Sequence, residues 1–355
     1  MRRNTAAAGN LPTIRLAKDK DMKKRIAING MGRIGRAAFK ILLDRDDLEL
    51  AAVNDLLPAD SLAYLLSYDS VYGRHAKKIT AENGGIAIDG RIIPKFSEKD
   101  PEKLPWREKG IDLVLECTGI FTNRQGLEKH IRAGADRVIL SAPGKDEDIP
   151  TVVYGTNIPE PDQRIISCGS CTTNCITPAM EVLDRRLGIR KAIMTTVHAY
   201  TATQSLVDTV AKKWTRGRAA AVNFVPTSTG AALATTKVLP ELEGLFDGIA
   251  VRGPVPVGSL ADMVVFTVNR TTVDEVNDIL TGEAGSEKYQ GVLGVSELPL
   301  VSSDIIMDPR ASVIDLSMTR VVDGDLVKIM SWYDNEWGYT NQMIRTAGHM
   351  LAAGK

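Results

Sequence analysis

The sequence predicts an α/β fold in two parts: a domain built on a parallel sheet, then an α+β domain with a mixed sheet. Three observations predict it. Residues 25–54 read as strand, helix, strand within about 30 residues, the repeating unit of a parallel sheet. Short apolar runs then keep alternating with helical spacing through the first part of the chain. After Cys171 that alternation gives way to strands and helices in a mixed order. The length of 355 residues fits two domains and a substantial core.

The elements follow in order. Residues 25–29 form a buried strand, residues 33–44 a helix with Ile34, Ala38, Ile41 and Leu42 on one face, and residues 48–54 a second strand. Strands are expected at 113–116, 138–140 and 152–154, with a helix at 124–133 between the first two. Between Thr80 and Pro94, Asn-Gly-Gly and Asp-Gly punctuate β-rich runs, which predicts a hairpin insertion. A helix begins just after Ser170 and runs through 180–186, and a strand follows at 192–197. Residues 200–221 have weak periodicity, and a loop of that length is usually functional. Strands return at 249–251, 263–269 and 326–331, with helices at 273–280 and 341–351. The expected organisation is an extension at 1–21, a first domain at 22–170 to which a C-terminal helix within 336–355 returns, and a second domain at 171–335. Residues 1–21 read as a disordered stretch ahead of a start at Met22. A targeting leader is the second reading, drawn from Arg2, Arg3, Arg15, Lys18 and Lys20.

Composition excludes several classes. Apolar residues are 44% and charged residues 25%, ordinary for a globular protein. Lys+Arg and Asp+Glu both number 44, so no global charge draws nucleic acid or an anionic surface. No run of about 18 apolar residues predicts a membrane span. Four cysteines in so long a chain are no disulfide scaffold and fit a reducing, cytoplasmic setting. No His-x-His or second Cys pair completes a zinc set, so no metal is expected.

Gly30-Met31-Gly32-Arg33-Ile34-Gly35 is a Gly-x-Gly-x-x-Gly between the first strand and the first helix. Its glycines allow a tight turn, close approach of a pyrophosphate and close helix–strand packing. The helix N-terminus then offers free N–H groups to phosphate. Asp55, at the end of the second strand, lies about 20 residues beyond Gly35, where an acid reads an adenosine ribose. Together these predict a Rossmann-type dinucleotide-binding domain. A carboxylate at Asp55 favours NAD over NADP.

Ser170-Cys171-Thr172-Thr173-Asn174-Cys175 places a thiol where a helix starts. Helix dipole and N–H groups favour thiolate, the attacking form, and the same N–H groups stabilise an oxyanion. Cys175, one turn further in, reads as a small buried residue. His198 closes the strand at 192–197, at its C-terminal end, where functional groups of α/β proteins gather. His75, His130 and His349 fall in segments with no chemical company.

These segments resemble the active site of the phosphorylating glyceraldehyde-3-phosphate dehydrogenase family. The resemblance rests on Ser170–Cys175, His198-Ala199-Tyr200-Thr201-Ala202-Thr203-Gln204, Arg218-Ala219-Ala220-Ala221, Ser228-Thr229-Gly230-Ala231-Ala232 and Ser331-Trp332-Tyr333-Asp334-Asn335-Glu336-Trp337-Gly338-Tyr339. The opening Ile28–Arg36 and Val53-Asn54-Asp55 match as well, so it covers the chain from about Lys24 onward. It implies Cys171 as nucleophile and His198 as base in oxidation of glyceraldehyde 3-phosphate to 1,3-bisphosphoglycerate, through a thioester cleaved by inorganic phosphate. It implies Thr201, Thr203 and Arg252 at the substrate phosphate, and Ser170, Thr172, Thr229 and Gly230 at the attacking phosphate. Around the cofactor it implies Gly30, Gly32, Arg33, Ile34, Gly35, Asp55, Ser141, Asn335 at the nicotinamide carboxamide, and Tyr339, which reads equally as a core tyrosine. It also implies a homotetramer and a place in glycolysis or gluconeogenesis.

Three segments depart from the family pattern. Cys168-Gly169 replaces Asn-Ala, which creates a Cys-x-x-Cys with Cys171; the first reading is an incidental small residue at a strand end, and a reversible disulfide that caps the nucleophile is the second. Gly253-Pro254-Val255-Pro256-Val257-Gly258-Ser259 replaces Val-Pro-Thr-Pro-Asn-Val-Ser, and Thr209-Val210 departs from Leu-Pro, which leaves NADP use open. The competing readings are erythrose-4-phosphate dehydrogenase, which hydrolyses its thioester, a more distant aspartate-semialdehyde dehydrogenase, and a nucleotide-binding protein without turnover.

Overall fold

The structure is a computed structural model that describes residues 23–352; the extension expected at 1–21 lies outside the described residues. The first half comprises β1 (Lys24–Asn29), α1 (Arg33–Leu43), β2 (Leu48–Asn54), α2 (Ala59–Ser67), a ribbon of β3 (Tyr68–Asp69) and β4 (Gly73–Arg74), β5 (Ile79–Glu82), β6 (Gly85–Ile88), β7 (Arg91–Phe96), β8 (Leu113–Glu116), α3 (Arg124–Arg132), β9 (Arg137–Leu140) and β10 (Ile165–Ser167). Eight of these strands form one sheet in the order β10-β9-β8-β1-β2-β7-β6-β5. It is parallel from β10 to β7 and antiparallel in the β5–β6–β7 meander. The expected hairpin is thus a continuation of the main sheet.

The second half comprises α4 (Cys171–Leu187), β11 (Ile189–Ala199), β12 (Val225–Ser228), α5 (Ala231–Thr236), β13 (Phe246–Gly253), β14 (Ser259–Thr267), α6 (Val273–Ala284), β15 (Leu293–Ser296), β16 (Ser312–Asp315), β17 (Arg320–Val322), β18 (Leu326–Tyr333) and α7 (Trp337–Ala352). Its sheet runs β12-β13-β11-β14-β18-β16-β15, with β17 paired to β18. β11 pairs β13 parallel and β14 antiparallel, so the sheet is mixed. One core gathers α4 with β14 and β18 through Met180, Leu183, Met263 and Ile329. The other gathers β1, β2 and α1, and it takes Tyr339, Met343, Ala347 and Met350 from α7. The last helix therefore packs on the first core.

Two expectations are corrected here. Residues 152–154 form no strand. Asn157 accepts from Val153 N–H at 2.8 Å and donates to Thr151 C=O at 2.9 Å, so a side chain occupies groups that a strand would use for pairing. What remains is an isolated parallel bridge between Thr151 and Ser167. The strand expected to end at Val197 continues through His198 to Ala199. His198 therefore stands inside β11, in register with Arg252 of the parallel neighbour β13.

Candidate active site

Three elements bring the reactive groups together. Ser170 caps α4, its hydroxyl accepting from Thr173 N–H at 3.1 Å, so the first helical residue is Cys171. β11 carries His198 and β13 carries Arg252 beside it. Cys171 Sγ lies 3.3 Å from His198 Nε2. On the far side of the ring, Nδ1 lies 2.7 Å from Ala199 C=O and 2.7 Å from Arg252 Nη1, which donates to the same carbonyl at 2.9 Å. With Nδ1–H donated to Ala199, Nε2 faces the thiol as an acceptor.

Burial, reinforced by the positive charge of Arg252, pushes the His198 imidazole down to about 3. The ring is neutral at neutral pH and able to take a proton. Burial pushes the Cys171 thiol above its ordinary range, against the sequence expectation. Arg252, the Thr172 hydroxyl and the N–H groups of Thr172 and Cys171 pull the other way. The helix end thus stabilises the thiolate as expected, and desolvation outweighs it in the closed site. Thr172 cannot be read as a freely presented hydroxyl, because its Oγ1 shares a bond of 2.9 Å with buried Tyr333.

Arg252 is a cation in search of an anion. Its Nε is buried without a partner, and its Nη1 meets a ring nitrogen that is itself a donor when bonded to Ala199. A second guanidinium, Arg216, lies near enough to disfavour charge on both His198 and Arg252. Sequence reasoning missed Arg216, which lies in the weakly periodic segment after Tyr200 where no pattern singles it out. Two neighbouring guanidiniums that bond only neutral oxygens, Ala199 C=O and the Thr227 hydroxyl, fit a bound phosphate or carboxylate. Thr201 and Thr203 share a hydroxyl–hydroxyl bond of 2.9 Å in that loop. Gly230 opens α5, a Cβ built there would meet nothing within 4 Å, and the Thr229 hydroxyl accepts from Ala231 N–H at 3.2 Å.

The glycine-rich turn has the geometry a dinucleotide needs. Gly30 has φ +93°, and a Cβ there would meet Thr118 N at 2.6 Å. A Cβ on Gly35 would meet Gly30 C=O at 2.0 Å, so that glycine permits close helix–strand packing. Around Gly32 there is open space at the N-terminus of α1. Asp55 accepts from Met31 N–H at 2.7 Å and from Leu57 N–H at 2.9 Å, which fixes its carboxylate beside the turn. Ile34 packs on the first core. Ser141 follows the end of β9, and its N–H donates to Glu116 C=O at 3.0 Å.

The Arg33 side chain goes elsewhere. It binds Glu336 at 2.9 Å through Nε and Asp69 at 2.8 Å through Nη1, and it tethers the start of α1 to the segment before α7. Asn335, next to Glu336, accepts from Gly258 N–H at 3.2 Å and from the Ser259 hydroxyl at 2.9 Å. Tyr339 is buried and donates to Gly169 C=O at 3.2 Å. These bonds engage the Arg33 guanidinium with two carboxylates, and they place Tyr339 in the wall behind the nucleophile.

His130 also departs from its reading as a residue without chemical company. It is fully buried, accepts at Nδ1 from Trp106 Nε1–H at 3.0 Å, and lies 3.0 Å from Glu116 through Nε2. Glu116 accepts as well from Asn29 Nδ2 at 2.6 Å and from Thr118 N–H at 2.8 Å. This network binds the ends of β1 and β8 under the glycine turn. The two cysteines of the Cys-x-x-Cys face different surroundings. Cys168 sits by Thr346 and Cys117, while Cys171 faces His198. All four thiols are free.

Comparison with known proteins gives a family. Residues 24–124 match the model described as glyceraldehyde 3-phosphate dehydrogenase, NAD binding domain, and residues 170–335 match that family's C-terminal domain. Glyceraldehyde-3-phosphate dehydrogenase 2 of Streptomyces avermitilis is 48% identical over 327 residues, covering 91% of this chain and 97% of the relative. Glyceraldehyde-3-phosphate dehydrogenase 1 of Bacillus subtilis is 44% identical over 336 residues, covering 94% and 100%. The Zymomonas mobilis enzyme of the same name is 43% identical over 333 residues, covering 93% and 99%. The chain belongs to the glyceraldehyde-3-phosphate dehydrogenase family.

Proposed function

We propose that this chain oxidises glyceraldehyde 3-phosphate to 1,3-bisphosphoglycerate with NAD and inorganic phosphate, the glycolytic reaction or its reverse. The observation that carries this reading is the 3.3 Å contact between the Cys171 thiol and a neutral His198, backed by Arg252. The thiol adds to the aldehyde carbon as its proton passes to His198 Nε2 and returns to the carbonyl oxygen, leaving a hemithioacetal. His198 then takes the hemithioacetal hydroxyl proton. The bound nicotinamide supplies the hydride acceptor. The thioester that results on Cys171 breaks when a phosphate oxygen attacks its carbonyl carbon, which releases the acyl phosphate and returns the thiolate.

Arg252, with Thr201 and Thr203, is read as the site for the substrate's own phosphate, and Ser170, Thr172, Thr229 and Gly230 as the site for the attacking one. Arg216 joins these cationic groups. Gly30, Gly32, Gly35, the backbone of Arg33, Ile34, Asp55, Ser141, Asn335 and Tyr339 are read around the cofactor. The Asp55 carboxylate would repel a ribose 2′-phosphate, which favours NAD. We divide the chain into a nucleotide domain at 22–170, completed by the helix within 336–355, and a catalytic domain at 171–335. The apolar side chains of Ile193, Val197 and Ile249 on the outer sheet face, with Leu206, Val210 and Trp214 in the adjoining loop, are exposed. Such a patch supports self-association into the family's homotetramer. The free nucleophilic thiol suits the reducing cytoplasm.

The test is reduction of NAD and of NADP by glyceraldehyde 3-phosphate, with and without inorganic phosphate. Sustained turnover with NAD that stops without phosphate is expected. Sustained turnover without phosphate would instead favour a hydrolytic enzyme such as erythrose-4-phosphate dehydrogenase. Arg252→Gln is expected to raise KM for the aldehyde phosphate by roughly thirtyfold, the scale of a lost charge-assisted hydrogen bond. Removing that positive charge also raises the Cys171 pKa further. The rate of Cys171 alkylation by iodoacetamide should therefore climb at a higher pH than in the wild type.

A further inference from the structure

Ser259 opens β14 and is fully buried. Its hydroxyl accepts from Ala199 N–H at 3.1 Å, and its proton is directed to Asn335 Oδ1 at 2.9 Å. Gly258 N–H reaches the same oxygen at 3.2 Å. A backbone N–H can only donate, so the Gly258 contact requires the amide oxygen of Asn335 to face inward, and the Ser259 hydroxyl donates to that same oxygen. The NH2 of Asn335 is left outward, with no hydrogen-bond partner among the described residues. Ala199 is shared. Its C=O holds His198 at Nδ1 and its N–H rests on Ser259.

We propose that Ser259 is a positioning residue that fixes Asn335 as a pure donor toward the nicotinamide carboxamide and ties that donor to the strand carrying His198. The proposal rests on the reading of Asn335 as the residue that faces the nicotinamide. Without the Ser259 hydroxyl, the Asn335 oxygen is held inward only by the longer bond from Gly258 N–H, and the link from Asn335 to Ala199 on the His198 strand is lost. The inference also gives the altered Gly253–Gly258 segment a function that its lost polar side chains do not carry. With φ +90° at Gly258 and a Cβ there only 2.1 Å from Ser302 C=O, the segment can hold its N–H against Asn335 only with glycine at that position.

The test compares two ligands on the full chain by calorimetry: NAD, and ADP-ribose, which lacks the nicotinamide. Ser259→Ala is expected to weaken NAD binding about tenfold, the scale of one buried hydrogen bond, and to leave ADP-ribose within about twofold of wild type. Equal losses for both ligands, or no loss for NAD, would overturn the proposal, because a merely structural role does not distinguish them. Should Ser259→Ala fail to fold, Asn335→Asp tests the outward donor that Ser259 is proposed to hold. It keeps the inward oxygen and replaces the outward donor with an acceptor. A selective loss of NAD affinity supports the proposal, and wild-type NAD affinity overturns it. Asn335→Ala separates the two layers of the argument. If it binds NAD as well as wild type, the reading of Asn335 itself fails, and the role of Ser259 falls with it.

Discussion

Cys171→Ser is expected to keep its fold and its nucleotide affinity and to lose at least about a thousandfold in kcat. The substitution changes one atom at the first residue of α4, so Ser170 still caps the helix and the sheet behind it is untouched. What changes is chemistry. A hydroxyl is far harder to ionise than a thiol, and the resulting ester would not conserve the energy of oxidation as a thioester does. The thiol already works against burial, with Arg252 and two helix N–H groups on its side. A hydroxyl in the same place gains the same help and still falls short. Initial rates of NAD reduction and a thermal unfolding midpoint, read together, separate a chemical loss from a structural one.

His198→Asn is expected to cost about 10²–10⁴-fold in kcat, the usual range for a positioned general base. Asn is close in size and can still donate to Ala199 C=O, so the strand register of β11 against β13 is retained. The loss should appear across pH 5 to 8. The sign follows from burial and from Arg252, which push the imidazole down to about 3, so the wild-type ring is already in its accepting form throughout that interval. A deficit that appeared only above a titration point near neutrality would mean that His198 gains its acceptor form during the assay range, contrary to this site. Rates measured in overlapping buffers at constant ionic strength decide it.

Much of this was legible in the residues. The βαβ turn could be read because three glycines, a strand, a helix and Asp55 recur at fixed spacing, and local geometry alone demands them. The start of α4 was legible because Ser170 is a good cap directly before a helical pattern. Both are local facts of the chain. The partners of each group were not. Arg33 reads like a phosphate ligand by position, yet Glu336 and Asp69 claim its side chain, and Glu336 is more than three hundred residues away. His130 looked idle until Trp106, Glu116 and Asn29 closed around it. Arg216 carried no periodicity, and its significance comes from standing near Arg252. The depressed ionisation of the Cys171 thiol depends on burial, which the capping pattern does not report. The Cys-x-x-Cys spacing is legible in the sequence, and the neighbours of its two thiols, Thr346 for Cys168 and His198 for Cys171, are not.

The central claim is that oxidation passes through an acyl group on Cys171. The most direct measurement is the intact mass of the protein after mixing with glyceraldehyde 3-phosphate and NAD in the absence of phosphate, followed by peptide mapping. The account predicts a mass increase equal to the phosphoglyceroyl group, carried on the peptide with Cys171 and removed within seconds of adding inorganic phosphate. NAD reduction with no adduct at Cys171, or an adduct on that cysteine indifferent to phosphate, would contradict it.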